Sequence, residues 1–214
     1  LFLFPVISYV LLRGKCRYCQ KPISMSYPLV ETFTAAVFLL IFNGELQRYH
    51  SVNSFMFLNI SFLFYIVGVL IIIAVYDFKH YIIPDKLLFP TIGIALFYQL
   101  FFNPQFLFFN AILSALGTFL FFTFIYLISK GTWMGFGDCK LVILLGLVLG
   151  FPNIVLALFL AFFFGAIIGT GAMLLKKKTL KGELPFAPFL VCGALVALLW
   201  GQEIINWYTN ALLF

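Results

Sequence analysis

The sequence has 214 residues, of which 64% are hydrophobic, 20% aromatic and only 9% charged. A soluble globular chain carries about 25% charged residues, so a water-soluble domain is excluded: this chain could not bury so much apolar surface. Its apolar runs are continuous rather than short and alternating, which excludes a transmembrane β-barrel and defines an all-α polytopic membrane protein. The net charge of +6 then reports orientation in the lipid bilayer and gives no reason to expect a nucleic-acid partner.

The first apolar stretch, LFLFPVISYVLL, has 12 residues and a proline. It is too short to span and reads as an interfacial or buried segment. A basic loop follows with Cys16 and Cys19 in C-x-x-C spacing. That spacing fits half of a zinc site, a redox pair, or neither. Structural zinc takes four ligands; Cys139 and Cys192 form no second C-x-x-C, and His50 falls on the opposite side. The chain alone therefore supplies no complete zinc site, and a cytosolic position argues against a stable disulfide.

About seven transmembrane helices follow, at roughly 27–42, 54–76, 86–102, 106–128, 138–150, 153–175 and 185–201. A helix needs about 20 apolar residues to cross, so the fifth is short. The bilayer must thin there, or GTWMGFG must dip into it as irregular backbone, tolerated at depth only inside protein or beside a wet cavity. With alternating crossings, loops 11–26, 77–86, 129–140 and 176–184 share one side. Twelve of the 13 Lys and Arg residues fall there, and only Arg48 falls on the other. The positive-inside rule makes the first side cytoplasmic. The chain divides into a partial cytoplasmic loop, 1–26, and a transmembrane domain, 27–214.

Three of the seven acidic residues stand at span ends on that face: Asp77 after the second span, Asp85 before the third and Asp138 before the fifth. In YDFKHYIIPD, Asp85 reads equally well as a helix N-cap. Asp77 directly follows GVLIIIAVY, where a carboxylate near lipid gains nothing structurally. In GFGDCKL, Asp138 also fits an N-cap, and a lone G-x-G-D is common by chance. A second aspartate at matching depth changes that balance. Gly135 and Gly137 permit close backbone approach, and Lys140 stands beside them. Glu31 lies near the cytoplasmic end of the first span, and spacing does not decide its role. The lysines of LKKKTLKGELPFAPFL serve as topological anchors.

Two aspartates from separate spans, brought together, are the working parts of an aspartic protease. Carboxyl groups about 3 Å apart cannot both ionise and share a proton. The ionised one draws a proton from water, which attacks the peptide carbonyl; the other donates to the carbonyl oxygen and then assists the leaving amine. This chemistry needs no metal or cofactor. A proton-coupled transporter would also carry membrane acids, but its site would lie near the midplane and open to both sides. A non-catalytic scaffold would tolerate loss of either aspartate.

The stretches PVISYVLLRGKCRYCQKPISMSYPLVE (5–31), YDFKHYIIPD (76–85), GFGDCKL (135–141) and LPFAPFL (184–190) come in the order found in bacterial prepilin leader peptidases. The chain resembles that family of membrane aspartic proteases, of the GxGD type, which serve type IV pilus, type II secretion and competence systems. The resemblance implies that Asp77 and Asp138 are the catalytic pair and that Asp85 holds a recurrent position without a settled chemical role; Asp85, Gly135, Gly137 and Lys140 are read as supporting residues. It implies an active site on the cytoplasmic face of the bacterial inner membrane. It also implies prepilin or pseudopilin substrates with a short basic leader, cleaved after a glycine, and in many members N-methylation using S-adenosylmethionine. Complete bifunctional members carry two C-x-x-C pairs in a zinc-binding loop after a first transmembrane helix. Here only Cys16 and Cys19 match, and the resemblance implies about one helix and half a loop upstream of Leu1. Zinc and S-adenosylmethionine are expected if that part is present.

Overall fold

The computed structural model describes residues 5–48, 53–103, 105–174 and 185–212. Lys176, Lys177, Lys178, Lys181, Glu183 and His50 lie outside the described residues. Among the described residues eight helices run in order: α1 Pro5–Leu11, α2 Ser26–Arg48, α3 Ser54–His80, α4 Asp85–Phe102, α5 Gln105–Ser129, α6 Phe136–Leu149, α7 Asn153–Leu174 and α8 Ala187–Leu212. Among the described residues there is no strand, only an isolated bridge between Lys15 and Pro22. An all-helical answer follows from the solvent: in hydrocarbon every backbone N–H and C=O must find its partner within the segment.

Among the described residues six helices, α2, α3, α4, α5, α7 and α8, are long and apolar enough to cross a membrane. The seven expected spans all appear as helices, and α6 is the short one, with 14 residues. At 1.5 Å per residue it covers about 21 Å, short of a hydrocarbon core of about 30 Å. Two helices outrun their apolar stretches. The segment 43–48, read from sequence as loop, continues α2 because Glu45 is buried and bonded. α8 continues past Gly201 with polar residues at helical spacing, such as Gln202 and Asn206, whose side chains meet at 3.4 Å.

The chain forms two compact units, Leu1–Tyr65 and Ile66–Phe214. In the first, α1 packs on α2, and a tight knuckle joins them. The Cys16 N–H donates to the Lys21 carbonyl at 2.9 Å, and the Gln20 N–H to the Cys16 carbonyl at 2.9 Å. Farther on, Glu45 accepts from Asn59 at 2.7 Å and from Arg48 at 3.2 Å, which offsets the cost of burying a carboxylate. Phe38 and Phe64 stack with ring centroids 4.4 Å apart.

In the second unit α6 is central and packs against α4, α5, α7 and α8. Eight of its 14 residues are buried, so a helix too short to span is enclosed by protein. Small and polar residues let α5 approach it, as in other membrane helix pairs. Gly146 lies directly on the backbone of Ala115, and the Thr118 hydroxyl donates to the carbonyls of Ser114 at 2.8 Å and Val142 at 3.3 Å. The far end of α6 is fixed by polar side chains. Gln99 donates to the Leu147 carbonyl at 2.6 Å. Asn110 donates to the Phe151 carbonyl at 2.9 Å and accepts the Phe151 N–H at 2.8 Å. Outside this core, large apolar side chains such as Phe97, Phe109, Leu113, Phe124 and Phe159 are exposed, a surface suited to lipid and not to water.

Candidate active site

The end of α3 and the starts of α4, α6 and α8 meet in the second unit. Asp77 occupies the last turn of α3 and is only 6% exposed. The Tyr81 N–H donates to the Asp77 carbonyl at 2.8 Å, and Tyr81 adopts a left-handed φ of 57°, which ends the helix. Ile82, Ile83 and Pro84 then lead directly into α4. Asp85 is not the N-cap of that helix; Pro84 holds that place and Asp85 begins the first turn, where a negative charge favours the helix dipole.

Asp138 is the third residue of α6 and only 7% exposed. It is not the N-cap either: Gly135 is, and it has no side chain to offer. Instead the Asp138 carboxylate reaches back to accept the Gly135 N–H, as the third residue of a capping box does. Its local role and its availability for chemistry are therefore compatible, because a carboxylate has about four acceptor sites.

The backbone N–H of Ala187, at the start of α8, donates to the Asp77 carboxylate. Asp77 and Asp138 are close enough for their charges to act on one another. Two buried carboxylates, from α3 and α6, thus lie within reach of each other's charge, one held by α8 and the other by its own helix start. Such a pair can retain a single proton and serve as an acid and a base together.

The other residues singled out in the sequence fall around this pair. Lys140 does not approach it as a free charge; its Nζ donates to both oxygens of Asp85, at 2.9 and 2.8 Å. The ammonium also lies 5.4 Å from the ring centres of both Phe89 and Phe136. Gly137 sits against Ile83, where a Cβ would have too little room. Cys16 and Cys19 lie in the first unit, and among the described residues no group of three or more His, Cys, Asp or Glu side chains is arranged to hold a metal. Two contacts were not read from the sequence: the Ala187 N–H on Asp77 and the Ile83 side chain under Gly137. The first had a signal, since LPFAPFL is a proline-marked helix start and such starts present free N–H groups to anions.

A polytopic helical bundle with two buried carboxylates at one end of its helices has the form of a membrane aspartic peptidase. A profile of the type IV leader peptidase family matches residues 64–170, and one of the bacterial peptidase A24 N-terminal domain matches residues 1–44. Three relatives carry the name prepilin leader peptidase/N-methyltransferase. The Legionella pneumophila protein is 33% identical over 95% of this chain and 69% of its own. The Aeromonas hydrophila protein is 32% identical over 97% and 70%, and the Bacillus subtilis (strain 168) protein 31% identical over 96% and 79%. No solved structure matches the chain. The chain belongs to the type IV leader peptidase family. These comparisons give no support to a proton-coupled transporter.

Proposed function

We propose that the chain is an aspartic endopeptidase that removes the short basic leader of type IV prepilins or pseudopilins, with Asp77 and Asp138 as its catalytic residues. The observation that carries this reading is the pairing of two almost fully buried carboxylates from different helices, within reach of each other's charge. One carboxylate takes a proton from water, the water attacks the scissile carbonyl, and the other carboxyl protonates the carbonyl oxygen. On collapse of the tetrahedral intermediate the proton passes to the leaving amine. The Ala187 N–H occupies one lone pair of Asp77 and so fixes the orientation of its carboxylate.

The site faces the cytoplasm of a bacterial inner membrane in this reading. Twelve of 13 basic residues fall on the side that carries Asp77 and Asp138, and that side is cytoplasmic by the positive-inside rule. A substrate with a basic leader and an apolar helix then meets the pair at the bilayer edge, with its leader in water.

The relatives' names add N-methyltransferase activity, and we extend methylation of the new N-terminus to this chain as part of the proposal. The methyl donor would be S-adenosylmethionine. A cavity of about 780 Å³ between α5 and α7 does not fit it: its walls are almost wholly apolar, and Asn110 and Thr118 spend their polar groups on Phe151, in the link between α6 and α7, and on Val142 of α6. Zinc does not fit the described residues either, since Cys16 and Cys19 supply only two of four ligands.

The test is incubation of the purified chain in detergent with a synthetic prepilin, with and without S-adenosylmethionine, read by mass spectrometry. Cleavage after the leader glycine is expected, abolished in Asp77→Asn and Asp138→Asn. Normal processing by either variant would refute the assignment.

A further inference from the structure

We infer that Asp85 and Lys140 form a positioning clamp that sets the separation of Asp77 and Asp138. This rests on the proposed peptidase reading. The clamp is visible in how the chain is routed. Asp77, in the last turn of α3, and Asp85, the first residue of α4, flank the short turn 81–84. Asp138 and Lys140 are two residues apart near the start of α6. The bidentate contact between Lys140 and Asp85, at 2.8 and 2.9 Å, therefore ties the turn flanked by one proposed catalytic aspartate to the helix start that carries the other.

The start of α6 needs such a tie. It follows a turn with Gly131 at a φ of 75°, and its N-cap, Gly135, has no side chain to offer, which leaves the Asp138 carboxylate on the Gly135 N–H as its one side-chain cap contact. Local structure fixes its direction weakly. Two contacts across to the 77–85 turn replace what the loop lacks. Gly137 rests on Ile83, a short-range limit on how near the two can come. Asp85 and Lys140 supply the attraction that closes them to that limit. The Lys140 ammonium is further confined by the rings of Phe89 and Phe136. An ion pair as exposed as this one, with Asp85 half exposed, adds little to stability. Its consequence is geometric, and a misplacement near 1 Å at a reacting pair can cost about a hundredfold in rate.

The clamp is tested by steady-state cleavage of a synthetic prepilin with Asp85→Asn, Lys140→Met, the double variant and Lys140→Arg, each checked for an unchanged thermal midpoint. Each neutralising variant is expected to lower kcat about tenfold with KM within about twofold, and the double variant to be no worse than the worse single one. Lys140→Arg, which keeps a bidentate donor, is expected to retain most activity, and the limbs of the pH–rate profile to stay in place. Additive losses, or a displaced pH profile in Lys140→Met, would show that Lys140 acts on the carboxylates through its charge and would overturn the clamp. Wild-type kcat in Lys140→Met would overturn it too. The outcomes remain separable from the peptidase reading: if that reading fails, the unmodified chain leaves the peptide whole, and the clamp falls with it.

Discussion

A Cβ on Gly137 would stand 3.2 Å from the Cβ of Ile83, so the start of α6 and the turn after α3 approach to a distance that only glycine allows without adjustment. Gly137→Ala pushes a methyl into that contact. The neighbour is a side chain, so the cost stays near the low end of overpacking, about 1 kcal/mol. Displacement of Asp138 from Asp77 should still slow prepilin cleavage about fivefold. Adding Ile83→Ala, which opens the space, should recover most of the loss. If Gly137→Ala cleaves at the normal rate, the contact does not set the geometry of the pair.

Two carboxyl groups that must hold one proton give a pH profile with two limbs. At low pH both are protonated and no base remains to activate water. At high pH both are ionised and no acid remains to protonate the carbonyl oxygen. Cleavage measured across pH should therefore fall on both sides of an optimum, and a rate that rises to a plateau with no alkaline limb would exclude a shared proton.

Gly146 is tighter than Gly137 and the obstacle is backbone. A Cβ there would lie 2.5 Å from the Ala115 Cα and 2.7 Å from its nitrogen. Neither can rotate away, so Gly146→Ala must part α5 from α6, at a cost of about 3 kcal/mol. Thermal unfolding in detergent should show a clear drop in midpoint. Gly117→Ala, on α5 with open space around its Cβ, should show none.

Gln99 holds the far end of α6 through its 2.6 Å bond to the Leu147 carbonyl and also accepts from Asn103. Gln99→Leu leaves the Leu147 carbonyl and the Asn103 amide without this partner and should cost about 1–3 kcal/mol. The same unfolding measurement checks it; an unchanged midpoint would mean that α6 is fixed by packing alone.

The Cys16 thiol is held below the usual thiol range by backbone N–H groups of Cys19 and Tyr18 and by the Cys19 side chain. At a given pH it carries more thiolate than an ordinary cysteine, and the thiolate is the reactive form. Iodoacetamide labelling followed by peptide mass spectrometry should give a Cys16 pH profile centred below about 8.5. A midpoint at or above that value would rule out the hydrogen-bonded knuckle in solution.

Much of this architecture was legible in one dimension. The seven expected spans correspond to α2 through α8, because twenty apolar residues in a row have one economical conformation in lipid. The shortness of α6 was legible too, and Asp77 and Asp138, singled out because a carboxylate beside an apolar run needs a reason, are both buried. The helix ends were less legible: Glu45 looked like loop because its partner Asn59 is fourteen residues away. Both proposed caps were misplaced by proline and glycine, which took the N-cap positions themselves.

The lipid surroundings, the helices and the presence of acids at span ends can be read along the chain alone, because each follows from a local property: hydropathy, length or charge. The enclosure of α6 by four helices, the reach of the Ala187 N–H to Asp77 and the closure of Lys140 on Asp85 emerge from the folded packing. Those contacts join residues dozens of positions apart. Their geometry depends on how closely whole helices pack, a quantity that no short stretch of sequence contains.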